Sequence, residues 1–216
     1  MPVPAARWKG SWAELDLPTP ILCLVTDERD LGLLLESADA ALSGGVNMIQ
    51  VRRRARGATD LYACATALVR LAKGRALVMV NDRMDVAEAS GADGVHLPEA
   101  GPPVSAARRL LGRGRLVGRS IHAAMGPQLW EGADYLIFGN VFATASHQLR
   151  PPLGTDLLAT FAKSTALSVL AIGGIDPPRA HQAIRSGAAG VASISFLLDS
   201  ADSSAAAGQL LAAMVS

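Results

Sequence analysis

The sequence is poor in cysteine and in aromatic residues. Its 216 residues include two cysteines, and Phe, Trp and Tyr together make up 4%. Cys23 and Cys64 each lie inside an apolar segment. This position predicts buried free thiols in a reducing cytoplasm and argues against a disulfide framework. Hydrophobic residues make up 50% of the chain, which is enough for one domain with one sizeable core.

Long apolar runs and an excess of charge are also missing. Runs such as 21–25 and 76–80 are much shorter than the about 20 residues that cross a bilayer, and residues 1–20 contain no apolar signal-peptide core. Lysine and arginine total 20, against 19 for aspartate and glutamate. This balance provides no long-range attraction to nucleic acid or to an acidic membrane. We therefore expect neither as a partner.

What the sequence does contain is a regular alternation of short aliphatic runs and longer Ala/Leu-rich stretches. We predict eight strands, at 21–26, 46–52, 76–81, 94–97, 116–121, 135–139, 168–172 and 190–193. Helices are predicted after them, at 31–42, 60–72, 84–89, 104–111, 126–130, 157–163, 178–186 and 203–214. Near-continuous apolar strands separated by helices indicate a covered parallel sheet. The pattern predicts a single-domain (β/α)8 TIM barrel over 20–216, preceded by an N-terminal extension over 1–19.

Glycines precede every second predicted strand. They occur at 44–45, 91, 132 and 187. A glycine at the end of a helix readily adopts the left-handed conformation that a Cβ disfavours. We interpret these glycines as structural helix caps.

The loops that follow the strands carry the active site in barrels of this kind. The strand ends predict contacts to a small substrate from five side chains, namely Gln50, Arg52, Asn81, Asn140 and Thr144. Gln50 and Arg52 alternate onto one face of the second strand, and buried polar groups there are costly without a ligand or partner. For Arg52 the alternative is an ion pair with Asp27 or Asp82.

A phosphate site is predicted after the last two strands. Gly173 and Gly174 follow the seventh strand, and Ser193 and Ile194 end the eighth. Glycines let backbone N–H groups approach a phosphate closely, and this barrel habitually binds phosphate at that position. The alternative is a tight turn that needs glycine for its backbone angles.

His122 closes the fifth strand and suits proton transfer near neutral pH. The alternative is an exposed loop histidine. His96 lies within the fourth strand and is interpreted as a satisfied core group.

Asp82 is a candidate metal ligand or helix cap, but one carboxylate is too little for a Mg²⁺ site. The short motifs of zinc proteases, dithiol sites, P-loops and serine hydrolases are absent, so we expect no metal and no cofactor.

Seven segments resemble, in order, the thiamine phosphate synthase/TenI superfamily. They are 24–27, 44–52, 80–87, 91–97, 118–122, 133–142 and 171–175. The likeness extends from about residue 20 to residue 198, and the set of motifs is highly specific. The resemblance implies a phosphorylated heterocycle as ligand and a homodimer.

The family holds two chemistries. The synthase joins hydroxymethylpyrimidine diphosphate to thiazole phosphate, with Mg²⁺ helping pyrophosphate to leave, whereas the TenI-like tautomerase moves a proton on a carboxythiazole phosphate without a metal. Gly101 stands where the synthase has an aspartate ligand, Arg53-Arg54 replaces its Glu-Lys, and 143–147 lacks its lysine. These losses would leave the charge of pyrophosphate poorly neutralised.

Leu97-Pro98 and the segment 118–122 match the tautomerase branch, in which the histidine corresponding to His122 carries the proton. We therefore predict an isomerase of thiamine biosynthesis, with His122 as its catalytic residue. Two alternatives stay open. One is an active synthase, in which Asp82 binds Mg²⁺ and Glu99 replaces the missing aspartate. The other is a non-catalytic regulator that binds the phosphorylated ligand.

Overall fold

The computed structural model describes residues 17–53, 55–112, 114–122, 126–144 and 151–216. They form a closed barrel whose strands follow one another in chain order from β1 to β8. The strands are β1 Ile21–Val25, β2 Met48–Val51, β3 Leu77–Asn81, β4 Gly94–Leu97, β5 Leu116–Ile121, β6 Tyr135–Gly139, β7 Ser168–Ile172 and β8 Gly190–Ser193. Each pairs in parallel with the next, and β8 closes the barrel with Ala192 opposite Cys23. The predicted (β/α)8 barrel is confirmed.

Helices cover the outside of the barrel. They are α1 Leu31–Ser43, α2 Ala58–Ala72, α3 Met84–Ser90, α4 Val104–Leu111, α5 Gly154–Lys163, α6 Pro177–Arg185, α7 Ser195–Leu198 and α8 Ser203–Val215. The helix predicted at 126–130 is a single 3₁₀ turn, Pro127–Leu129, and the short α7 was not predicted. Within the described ranges, no helix combines the length and the apolar character needed to span a bilayer.

Aspartates cap the N-termini of three of these helices. The side chain of Asp30 accepts a hydrogen bond from the N–H of Gly32 at 2.7 Å, and Asp176 and Asp202 cap α6 and α8 in the same way. Such caps satisfy backbone donors that the first turn leaves without partners. They define where the loops after β1 and β7 end, and those loops line the site.

Two apolar layers form the core. Alternate side chains of each strand point inward or outward, so Ile21, Cys23 and Val25 pack inside the barrel while Leu22 and Leu24 pack under the helices. Both cysteines are free and buried, as predicted, and burial raises the pKa of Cys23 to about 12.

The glycines that precede alternate strands have two different roles. Gly45, Gly91, Gly132 and Gly187 have positive φ angles, as predicted. Gly44 caps α1 as predicted, but the predicted left-handed conformation was wrong for it, because its φ is −82°. A Cβ on Gly44 would lie 2.2 Å from the carbonyl oxygen of Ser204, so this position needs glycine for the close approach of α1 to α8.

The predicted extension 1–19 lies outside the described residues except for its last three. Among those, Leu17 packs against the inner layer of the barrel. The boundary at residue 20 remains a prediction.

Candidate active site

A cavity of about 260 Å³ opens at the carboxyl ends of the strands. Every predicted substrate and phosphate contact lines it: Gln50, Arg52, Asn81, His122, Asn140, Thr144, Gly173, Gly174, Ser193 and Ile194. Asp27 and His96 line it too, whereas Asp82 does not. His147 and Arg54 lie outside the described residues. The fold therefore brings together side chains that are up to 144 positions apart, from 50 to 194, and their roles remain proposals.

The β2 and β3 ends provide amide groups. The Nε2 of Gln50 donates to the Oδ1 of Asn81 at 3.0 Å. Gln50 is buried, and its Oε1 has no hydrogen-bond partner among the described residues. A buried acceptor without a partner is costly. A ligand N–H in the cavity would remove that cost.

His96 lies beneath the cavity and is fully buried. Its Nδ1 is 3.1 Å from the hydroxyl of Tyr135, and its Nε2 is 2.8 Å from the hydroxyl of Ser120. Burial, aided by the positive charge of Arg119, lowers the pKa of His96 to about 3. The interpretation of His96 as a satisfied core group is confirmed. Gly118 makes the contact between His96 and Tyr135 possible, since a Cβ at position 118 would lie 2.3 Å from the ring of Tyr135.

His122 follows β5 directly at the rim of the cavity. Its backbone N–H donates to Oε1 of Glu99 at 2.7 Å, and its Nδ1 lies 3.4 Å from Oε2 of the same carboxylate. The side chain is 31% exposed although Nδ1 is buried. Nδ1 is therefore turned away from solvent, while another part of the side chain lines the cavity.

The glycine turn after β7 is tightly packed. Gly173 and Gly174 have φ angles of 101° and 62°. A Cβ would lie 2.5 Å from Cβ of Asn140 at the first position and 2.3 Å from the carbonyl oxygen of Ala143 at the second. The need for glycine is therefore explained by the turn itself. The two backbone N–H groups have no acceptor within the part of the chain that the structure describes, which leaves them available to a phosphate.

Arg29 joins Asp27, in the loop after β1, to the β8 side of the rim. The carboxylate of Asp27 accepts from Nε and Nη2 of Arg29 at 2.9 and 2.8 Å, and Arg29 also reaches Asp199 at 2.9 Å. Burial alone would raise the pKa of Asp27, but the hydrogen bonds and the charge of Arg29 outweigh it and lower that pKa. The ion pair fixes the loop after β1 against the loop after β8.

The residues present do not fit a Mg²⁺ ion held by two carboxylates. Asp82 is exposed, and position 101 is glycine. Glu99, the predicted substitute, is engaged with His122. Across the described ranges, no group of three or more His, Cys, Asp and Glu side chains is arranged to hold a metal. The sequence-based expectation of no metal remains a prediction.

Comparison with known proteins identifies the family. The family model described as thiamine monophosphate synthase matches residues 22–197. The chain belongs to this family. The thiamine-phosphate synthase of Chlorobium limicola is 40% identical over 197 residues, which cover 89% of this chain and 93% of that protein. The thiamine-phosphate synthase of Anaeromyxobacter dehalogenans is 44% identical over 179 residues, covering 82% and 81%.

A solved structure agrees with these relatives. Thiamine phosphate pyrophosphorylase from Pyrococcus furiosus superposes with a TM-score of 0.80 at 30% identity, over 91% of this chain and 96% of that one. The predicted superfamily is confirmed. The predicted isomerase function and the assignment to the TenI-like branch were wrong, because these relatives are named thiamine-phosphate synthases and the solved structure is named a thiamine phosphate pyrophosphorylase. The substitution of one metal ligand, at position 101, is not enough to exclude the synthase.

Proposed function

We propose that this chain is a thiamine-phosphate synthase, a transferase that joins hydroxymethylpyrimidine diphosphate to thiazole phosphate. The observation that carries the proposal is the similarity to proteins of that name, at 40–44% identity over 82–89% of the chain. The cavity supports it. One side offers a turn suited to a phosphate, and the other offers cationic and amide side chains suited to a second, more highly charged ligand.

The turn after β7 is the proposed site for the phosphate of the thiazole. Its two backbone N–H groups, at Gly173 and Gly174, have no acceptor among the described residues and are held by the turn, so they need little reorganisation when the ligand binds. Ser193 and Ile194 form the adjoining wall at the end of β8. A phosphate here would hold the thiazole at one end of the cavity.

The β2 and β3 side is the proposed site for the pyrimidine diphosphate. The unpartnered Oε1 of Gln50 suits an N–H donor on a nitrogen heterocycle. Arg52 provides a guanidinium at the same strand end, and Asn81, Asn140 and Thr144 add polar groups around it. A guanidinium suits a diphosphate because it binds phosphate oxygens in pairs.

In the proposed arrangement the two ligands would share one small cavity. A bond forms between the thiazole and the carbon that carries the diphosphate, while the carbon–oxygen bond to the diphosphate breaks and pyrophosphate leaves with the electron pair. The protein contributes by holding the reacting ends together and by stabilising the charge that develops on the leaving group. Arg52 is the side chain proposed to provide most of that charge stabilisation.

The test is direct synthesis. Purified protein is mixed with both substrates, with and without added Mg²⁺, and thiamine phosphate and pyrophosphate are measured. We expect equal amounts of both products. Arg52→Gln should lower the rate about 100-fold, as is typical for loss of one charge-stabilising donor. Arg56→Gln, at a side chain 45% exposed outside the cavity, is the matched control and should leave the rate unchanged.

No thiamine phosphate from the wild-type protein under either condition would contradict the proposal. Binding of the substrates without turnover would favour the regulator considered above. The homodimer, the cytoplasmic location and the substrate contacts remain predictions, and sedimentation of the purified protein tests the first of them.

A further inference from the structure

The loop after β4, residues 98–102, is a tight turn closed by its own backbone. The N–H of Gly101 donates to the carbonyl oxygen of Pro98 at 2.9 Å. A Cβ at Gly101 would lie 2.9 Å from both Cγ and Cδ of Pro98 and 3.0 Å from its oxygen. This turn therefore leaves no room for a side chain at 101 while Pro98 is present.

A buried arginine holds this turn against β5. Arg119 is 3% exposed. Its Nη1 donates to the carbonyl oxygen of Pro102, and its Nη2 donates to those of Glu99 and Gly101 at 2.8 and 3.3 Å. One guanidinium thus binds three carbonyl groups of a single turn, which restricts where the side chain of Glu99 can point.

Both oxygens of the Glu99 carboxylate face His122. Oε1 accepts the backbone N–H of His122 at 2.7 Å, and Oε2 lies 3.4 Å from the ring Nδ1. The carboxylate is 24% exposed, so solvent only partly competes for it. A carboxylate beside one ring nitrogen favours the tautomer that carries a proton there.

We infer that Glu99 is a positioning residue for His122. Glu99 keeps the proton on Nδ1 and turns the Nε2 lone pair toward the ligand cavity, and Arg119 holds Glu99 in place. The inference rests on the proposed function in one respect only: the ligand that faces Nε2 is then a phosphorylated heterocycle. The orientation and tautomer of the ring are properties of the free protein.

The alternative is a purely structural role, in which Glu99 does no more than cap the backbone N–H of His122. Glu99→Gln separates the two roles because glutamine retains an oxygen for that N–H and loses the charge near Nδ1. Glu99→Ala removes both. Glu36→Gln, an exposed carboxylate on α1, is the matched control.

The experiment is ¹⁵N NMR of the imidazole nitrogens in ¹⁵N-histidine-labelled protein. The chain has four histidines, and His122→Gln assigns the signal. We expect the wild type and Glu36→Gln to show the Nδ1-protonated tautomer, and Glu99→Gln to shift toward the Nε2-protonated one with an unchanged melting temperature. Glu99→Ala should shift likewise and melt lower. An unaltered tautomer in both Glu99 variants would overturn the inference.

Turnover provides the second measurement. Glu99→Gln should lower kcat about tenfold, the lower end of what the orienting partners of metal-binding histidines contribute, with little change in KM. An unaltered kcat in this variant would also overturn the inference. Failure of the proposed function is recognised separately. The wild type would then form no thiamine phosphate, while the tautomer of its free state would still respond to Glu99→Gln.

Discussion

On the β7 and β8 side of the cavity the wall is made of backbone, whereas on the β4 and β5 side it is made of side chains. Gly173 and Gly174 adopt left-handed angles and have N–H groups without an acceptor among the described residues. Across the cavity, Glu99 accepts one hydrogen bond from the backbone N–H of His122 and lies 3.4 Å from its Nδ1, while Arg119 donates to the carbonyl oxygen of Glu99. The backbone wall depends on a few consecutive residues. The side-chain wall depends on two segments that meet only in the folded barrel.

This difference determines how each wall responds to mutation. A backbone wall has no side chain to remove, so it is damaged by adding atoms. A side-chain wall loses function when atoms or charges are removed, and its parts depend on one another. We expect four substitutions to show this contrast.

Gly173→Ala should have the largest effect. The backbone angle alone costs about 1–3 kcal/mol in the free energy of unfolding, and the overlap with Asn140 adds typically 1–3 kcal/mol. Urea unfolding measures the stability, and calorimetry with inorganic phosphate measures binding, which we expect to be lost. Gly74→Ala is the control, because its φ is 74° but no atom of the described residues lies within 4 Å of the added Cβ. Equal losses in the two variants would show that crowding contributes nothing.

Arg119→Met should come next. It removes a charged hydrogen-bond donor, which we expect to cost about 1.5–3 kcal/mol in all because water can replace part of the loss at the exposed Pro102, and it leaves three carbonyl groups of the turn without that partner. We expect a lower urea midpoint and loss of the His122 tautomer preference. Arg119→Lys retains the charge but cannot reach all three carbonyls, so it should recover only part of the stability. Wild-type stability in Arg119→Met would contradict a clamping role.

Gly101→Asp tests whether the turn itself excludes the family's metal ligand. In the presence of Pro98 the added side chain should lower the free energy of unfolding by about 1–3 kcal/mol and add no affinity for Mg²⁺. In a Pro98→Gly background the loss should be smaller by at least about 0.5 kcal/mol, a coupling typical of residues in contact. Urea unfolding and calorimetry with Mg²⁺ check the two expectations. Strict additivity of the two substitutions would show that the two positions are independent.

Asp27→Asn should have the smallest effect, about 0.2–1 kcal/mol for a partly exposed ion pair. The folded-state pKa of Asp27 is lowered, so its contribution is present above the unfolded value of 3.8 and is lost as pH falls through the folded pKa. The difference in stability between wild type and variant should therefore be constant near neutral pH and shrink in acid. A difference that grows in acid would have the wrong sign.

The contrast between the walls also explains what the sequence could predict. The strands and the cavity residues were found because alternation and strand ends are local signals. The glycine turn was found for the same reason. The link from Glu99 to His122 was missed because it crosses 23 positions and depends on the path of a loop. Gly44 was misjudged because its neighbour, Ser204, is distant in the chain.

The choice of reaction failed for another physical reason. The loss of the aspartate at position 101 concerns a single metal ligand. It does not determine which bond the other side chains of the site help to make or break. His122 suits proton transfer in isolation, but a rim imidazole also fits a site for two phosphorylated ligands. Similarity over most of the chain carries more of that information than one substituted ligand does.

The imidazole beneath the cavity has a consequence for solution behaviour. Because His96 titrates near 3, the floor under the ligands keeps the same charge throughout the physiological range. A phosphate monoester, in contrast, takes up a proton with a pKa of about 6. As the pH falls, the ligand phosphate is therefore protonated before His96 is. The pH dependence of ligand binding should report mainly on the ligand and on the residues at the rim of the cavity.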